Sequence, residues 1–353
     1  MHMVDATLNT ALRNHLGVDP NWLNLTTEDV IDPELPIVDA HHHAWDLPHN
    51  RYLFDDLVSD FQCGHNIVAT VYVQCYSMYR ADGPPEMKPV GETEFANGLA
   101  AQSASGNYGS TEICAGIVGT ADIRLGAAVE PVLHAHLGAA GQRFKGVRPT
   151  TSWHESDQLK ALATEPHILL QSSAREAIRC IAKLNLCLDL WVYFTQLDDA
   201  IDICRAFPNL KIVIDHVGGP LGIGPYGGRR DEVFQVWRQK IESVAQHPNA
   251  YMKLGGLGMR YAGFQFNQMP SPPSSDLLLE KWKPYLELCI EQFGPDRCMF
   301  ESNFPIDKGM CSYRIIWNAF KKLTKNYTSS ERNALFCQTA ANVYRLEHIL
   351  THS

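Results

Sequence analysis

The chain has 353 residues, 45% of them hydrophobic and 20% charged, and a formal net charge of −9. This is the composition of an ordinary soluble globular protein able to bury a large core. The negative balance argues against a general nucleic-acid or anionic-membrane binder, though it permits local basic pockets.

In chain order, residues 1–35 precede the first apolar run and are expected to form a helical arm, followed by one catalytic domain over 36–348. The first strand is expected at 37–42 (IVDAHH), then 67–74 (IVATVYVQ), 112–119 (EICAGIVG) and 144–150 (FKGVRPT). Four more follow at 186–193, 211–217, 250–256 and 298–303. Each begins as a continuous apolar run, as strands buried on both faces do. Helical patterns fill the gaps at 125–140, 171–183, 197–206, 230–246 and 276–293, with two more at 311–324 and 330–343. Eight strand–helix alternations predict an α/β fold, a (β/α)₈ TIM barrel with an N-terminal helical arm. The segments 77–95 and 259–275 are long enough to act as lids over the mouth. A doubly wound sheet would announce a glycine-rich phosphate turn after an early strand, and "HHHAWD" is unlike one.

Ten cysteines form no CxxC pair and mostly lie inside apolar stretches, so they read as reduced core residues. The opening residues lack the basic and apolar regions of a signal peptide, and no run is long and apolar enough to span a membrane. A cytoplasmic location is expected, and an oligomer is left open.

In a barrel, polar residues at strand ends converge on one mouth. Here these are Asp39, His41, His42 and His43, then Tyr72 and Tyr76, Arg148, Asp189 and Trp191, Asp215 and His216, Lys253, and finally Glu301 and Asn303. With period-two alternation, His41 and His43 share a face about 6.6 Å apart and can grip one ion or one carbonyl. His42 points away and reads as structural. A solvated turn is the plainer account of the trio, and a carbonyl-bonded core histidine that of His216. Arg148, on a buried strand, needs an anion: a substrate carboxylate, or an internal partner for which Asp189 is the natural choice. Lys145 falls on the opposite face and is expected outward. Trp191 reads as wall, and Tyr72 and Tyr76 as groups able to bond a substrate oxygen.

The ordered series "VDAHHHAWD", "GVRP", "VIDHVGGPLGIGPYGG", "KLGGLGM", "CMFESNFPIDK" and "TAANVYRL" resembles the amidohydrolase superfamily over about 37–346. The branch resembled is the amidohydrolase-related family that includes lactonases of pyrone dicarboxylates and sugar lactones. By that resemblance His41 and His43 match the strand-1 pair and His216 the strand-6 histidine. Asn303 stands where the superfamily has an aspartate, an amide unable to take a proton, with Glu301, or Asp307 further out, as the replacement carboxylate. The strand-5 histidine of metal-using relatives has no counterpart near Phe194, and strand 4 offers no inward lysine. The site is therefore expected either to need no cofactor or to hold one divalent cation, zinc suiting His41, His43 and Glu301 best.

The activity so implied is a hydrolase opening a lactone or related ester of a small carboxylated substrate. His41, His43 and His216 would polarise the carbonyl, Glu301 activate water, Asn303 hold water or a carbonyl oxygen, and Arg148 dock the carboxylate. Tyr72, Tyr76, Asp189 and Trp191 complete the expected substrate-binding set. A metal-dependent non-oxidative decarboxylase and a catalytically silent carboxylate-binding barrel are the rival readings. No nucleic-acid or membrane partner is expected.

Overall fold

The computed structural model describes residues 16–351 except 49, 160 and 161. Eight parallel strands form one sheet in sequential order. They are β1 (Pro36–His42), β2 (Asn66–Val73), β3 (Glu112–Gly119) and β4 (Phe144–Val147). The remainder are β5 (Cys187–Leu190), β6 (Ile212–Ile214), β7 (Ala250–Leu254) and β8 (Cys298–Phe300). The ring closes just past the end of β8, where Asn303 N donates to His41 O at 2.9 Å and His43 N to Phe304 O at 2.7 Å. Helices follow the strands as α1 (Phe54–Phe61), α2 (Val90–Ser103), α3 (Glu130–Ala140), α4 (Ser172–Lys183), α5 (Leu197–Ala206), α6 (Arg230–Ala245), α7 (Ser275–Phe293) and α8 (Tyr313–Leu323).

The helices form where an apolar stripe recurs at helical spacing. In α4 that stripe is Ala174, Ala177, Ile178 and Ile181, all buried, while the opposite face carries Arg175, Arg179 and Lys183. Ser312 caps α8 by accepting from Ile315 N, and the buried Ile316, Phe320 and Leu323 face the barrel.

Two apolar cores result. One lies between strands and helices and holds most of the aromatic rings. The other fills the lower barrel interior with Val38, Ala40, Ala69, Val71, Val213 and Met299. It is sealed from below by a C-terminal segment whose Ala340, Val343, Tyr344 and Leu346 pack against it.

The described part of the arm holds only one helical turn, Pro20–Leu23, capped by Asp19. The rest runs as loop, tied to the barrel by polar bonds: Trp22 Nε1 to Met269 O at 3.0 Å, and Ser275 N and Asn318 Nδ2 to the Glu28 carboxylate. Residues 1–15 of the expected arm lie outside the described residues. Several strands are shorter than their apolar runs imply. The tails at 148–150, 191–193 and 301–303 leave the sheet as loops, which is where side chains must turn toward the mouth.

Candidate active site

The site begins with an irregularity in β1. Asp39 pairs with Thr70 and His42 with Tyr72, so β1 carries one residue more than β2 over the same span. An extra residue reverses the faces taken by the side chains beyond it. Val38 and Ala40 therefore join the interior core, and His41 and His43 turn inward too, their ring centroids 4.7 Å apart. Asp39, which simple alternation puts on the face of His41, instead points away. It accepts from Ser302 N at 2.9 Å, Ser302 Oγ at 2.6 Å and Tyr313 OH at 2.8 Å, and burial lifts its carboxyl to about 6 against those bonds. His42 is structural: its Nε2 meets Thr70 Oγ1 at 2.8 Å between the rings of Phe61 and Tyr72, and burial lowers it to about 4.

Below the histidines lies a column of buried charge. Lys253 Nζ is 2.7 Å from Asp189 Oδ2 and 3.1 Å from Asp215 Oδ1. Tyr344 OH donates to Asp189 Oδ2 at 2.7 Å from the barrel floor. Arg148 Nη1 meets Asp215 Oδ2 at 3.1 Å, and its Nη2 donates to Gln74 O. Burial pulls the lysine down, but Asp189, Asp215 and Glu301 outweigh it and the ammonium is held charged. Burial raises Asp215, yet Lys253 and Arg148 more than offset that and hold it below the usual carboxylate range.

Arg148 is thus anchored by Asp215, not by Asp189, which sits one layer deeper under Lys253 and does not reach the mouth. Lys145 is not outward. It is buried, with Nζ donating to Arg345 O at 3.0 Å in the C-terminal segment.

Glu301 links the two histidine strands. Its Oε1 accepts from His216 Nδ1 at 2.6 Å and from His216 N at 3.2 Å, and its Oε2 lies 2.9 Å from His41 Nδ1. The pair Gly255–Gly256 makes room for this. A Cβ on Gly255 would fall 2.5 Å from Glu301 Cγ, and one on Gly256, whose φ is +68°, 2.4 Å from His216 Nδ1. His216 itself holds φ at 55° and Asn303 at 55°, conformations non-glycine residues rarely adopt.

The hydrogen-bond network assigns protons. His43 Nδ1 lies 2.7 Å from Val73 O, which only a donor satisfies, so the neutral ring carries its proton on Nδ1 and leaves Nε2 as an acceptor. His41 sits between opposite demands: its Nδ1 faces the Lys253 ammonium at 3.2 Å and Glu301 Oε2 at 2.9 Å, and its Nε2 faces His43 Nε2 and Arg148 Nη1, each at 3.2 Å. Burial, reinforced by neighbouring cations, holds His41 and His43 far below the ordinary histidine value, so both are neutral.

Above this network opens a cavity of about 80 Å³ lined by His43, His216, Arg148, Trp191, Tyr76 and Cys75, with Met259, Tyr261 and Ile306 at its walls. Trp191 stands edge-on to His216 with centroids 4.7 Å apart. Tyr72 does not take part. Its hydroxyl donates to Glu92 Oε1 at 2.9 Å, and its ring belongs to the core outside the barrel. Neither Glu301 nor Asn303 lines the cavity. Asn303 Nδ2 donates to Asp307 Oδ1 at 2.8 Å, while its Oδ1 has no hydrogen-bond partner among the described residues. Asp307 also accepts from Gly258 N at 2.9 Å, and burial lifts its carboxyl to about 8.

A family model described as amidohydrolase matches residues 38–346, nearly the whole described barrel. The chain belongs to the amidohydrolase family. It is 31% identical to an uncharacterised Sinorhizobium fredii protein, y4mH, over 89% of this chain and 99% of that one. It is 26% identical to an L-fucono-1,5-lactonase of Burkholderia ambifaria over 77% and 81% of the two chains. A Burkholderia multivorans amidohydrolase structure with bound zinc superimposes with a TM-score of 0.68 at 22% identity, covering 88% of this chain and 99% of that one.

Whether this amidohydrolase fits a metal is decided by its own donors. Among the described residues, His41, Asp215 and His216 bring ligand atoms within 4.8 Å of one another, so a cluster of suitable size is present. The place of a cation there is already taken: Lys253 Nζ is 3.2 Å from His41 Nδ1 and 3.1 Å from Asp215 Oδ1, and Arg148 Nη1 is 3.2 Å from His41 Nε2. Two unit charges at about 4 Å repel by roughly 4 kcal/mol at an effective dielectric of 20, and a dication doubles that. The residues as arranged do not fit a divalent ion unless Lys253 withdraws. The set His41, His43 and Glu301 fails for a second reason. His43 meets the Nε2 edge of the His41 ring and Glu301 the Nδ1 edge, so one ion cannot contact all three.

Lys253 and Asp215 are the residues that sequence reasoning leaves without a role. A lysine inside an apolar run, "AYMKLGG", is the available signal, since a buried ammonium demands carboxylate partners.

Proposed function

We propose that this amidohydrolase opens a lactone or closely related ester of a small carboxylated substrate with water, giving the hydroxy acid. The observation that carries the reading is the Glu301–His216 pair beneath the cavity. Glu301 accepts the proton of Nδ1 at 2.6 Å, which fixes the ring and leaves Nε2 for the cavity that His216 lines. A carboxylate so placed orients the imidazole and stabilises the imidazolium that forms when Nε2 takes a proton from water. Glu301 is fully buried and does not line the cavity, so it acts through His216 instead of touching the water itself.

Water then adds to the acyl carbon, the ring C–O bond breaks, and the proton held on His216 passes to the leaving alkoxide. Arg148, charged and fixed by Asp215 and Gln74 O, supplies the positive edge for a carboxylate or for the developing oxyanion. His43, neutral, packs against the substrate under Trp45, whose ring stacks on it at 5.8 Å. Lys253 supplies at His41 the positive charge that a metal would otherwise bring, and these proton transfers need none. Asn303, clamped by Asp307, holds His41 O through its backbone N–H and keeps the ring closed at this point.

The test is a panel of aldonolactones and pyrone-carboxylate lactones followed by acid release, with elemental analysis and chelation of the same preparation. Turnover that survives chelation and falls at least 100-fold in His216→Asn is expected. Carbon dioxide release from aromatic acids, dependent on a stoichiometric metal, would replace this reading with decarboxylation.

A further inference from the structure

The catalytic cavity is small for a substrate. At about 80 Å³ it falls well short of the roughly 300 Å³ at which small-molecule sites begin. A second chamber of about 220 Å³ adjoins it, between the loops that follow β2, β3 and β4. Tyr76 and Leu162 line both spaces, so they form the partition where one opens toward the other. Together the two reach the size range of a ligand site.

The chamber is chemically unlike the mouth. Ile123, Leu162, Ala163 and Ile168 give it hydrocarbon walls, and the ring of Tyr79 adds an aromatic face. Its ionised groups, Asp122 and Arg124, are bonded to each other at the exposed rim, with Arg124 Nε 2.9 Å from Asp122 Oδ1. No free charge therefore faces its interior from that pair. The partition is held firmly: Tyr76 adopts a φ of 66° and its hydroxyl meets Thr150 Oγ1 at 2.9 Å, a strained backbone held in place by a bond to the β4 loop.

We infer that the substrate carries an uncharged apolar arm, alkyl or aryl, that passes Tyr76 and fills this chamber while the acyl carbon lies at His216. The inference rests on the ester-hydrolase reading and narrows it to carboxylated lactones that also bear a hydrocarbon substituent. Selectivity for the arm is set by Ala121 and Ala163, whose short side chains leave the chamber open.

The experiment compares kcat/KM for ring-carboxylated δ-lactones bearing no further substituent, propyl, pentyl and phenyl groups, in the wild type and in Ala121→Phe and Ala163→Phe. Burial of each methylene predicts about a fourfold rise until the chamber is full. Each phenylalanine is expected to cut the pentyl-to-unsubstituted ratio at least tenfold. Melting curves verify that the variants fold, and having two on separate loops protects against the loss of one. A flat series with the unsubstituted lactone turned over overturns the chamber and leaves the hydrolase reading standing. If no lactone is opened, that reading fails, and calorimetric titration with pentanoate, heptanoate and nonanoate decides the chamber alone. Affinity rising with length and lost in Ala121→Phe supports it, and affinity independent of length overturns it.

Discussion

The two halves of the barrel interior obey opposite rules. Below, Val38, Ala40, Val71, Val213 and Met299 interlock with a C-terminal segment into a layer of carbon. Above, Lys253, Arg148, Asp189, Asp215 and Glu301 crowd around two neutral histidines, all buried. Apolar packing stabilises through area removed from water and tolerates substitution of similar volume. A buried charge network tolerates none, because each member left unpaired faces the full cost of desolvation. The lower half is therefore expected to set stability, and the upper half to hold chemistry at the expense of stability.

Removing the central cation should break the contrast most. Lys253→Met strands Asp189 and Asp215 together, and a loss of about 3–5 kcal/mol is expected in urea unfolding followed by circular dichroism. In the lower layer, Met299→Ala should lose about 3 kcal/mol through the cavity it leaves, with kcat on the wild-type substrate unchanged. A matching fall in kcat would show that the layers are not separable. Tyr344 spans the border, its ring in the lower core and its hydroxyl on Asp189. Tyr344→Phe should cost roughly 1.5–2 kcal/mol, as hydrogen bonds to charged groups do.

A further effect is one of pH, read as a slope. Asp307, lifted by burial to about 8, binds a proton in the folded state that the unfolded chain has lost above about 4. Folding stability from this group therefore falls as pH rises from about 4 to about 8 and is level beyond. His42, lowered by burial to about 4, acts in the opposite sense: its contribution is complete above about 6.5 and is lost as pH falls toward 4. Between pH 6.5 and 8 the histidine is silent, so Asp307→Asn should flatten the decline of denaturant midpoint in that window. An unchanged slope would contradict the assignment.

The lower layer is legible in the sequence because it follows period-two alternation within single strands. The convergence of His41, His43, His216 and Arg148 is legible too, since each ends a different apolar run. The features that resist reading are those that depend on an extra residue or on closure. The bulge in β1 sends Asp39 to Ser302 and Tyr313, and no propensity marks its position. Sequence pattern groups Tyr72 with Tyr76, although the loop after β2 carries the latter into the mouth while the former stays in the strand. The partnership of Lys253 with Asp189 and Asp215 joins β5, β6 and β7, and exists only once the sheet curls far enough to bring three inner faces together. Gly255–Gly256 reads as the tail of the seventh strand, whereas its bareness is what seats Glu301 against His216.

The most direct measurement is kcat/KM of Glu301→Gln on a lactone the wild type opens, read beside its melting temperature. Loss of the carboxylate charge beside His216 predicts at least a 100-fold loss with the fold intact, because a neutral amide stabilises the imidazolium far less. Undiminished turnover in a folded Glu301→Gln protein would mean that water is activated elsewhere, and the upper layer would lose its catalytic role.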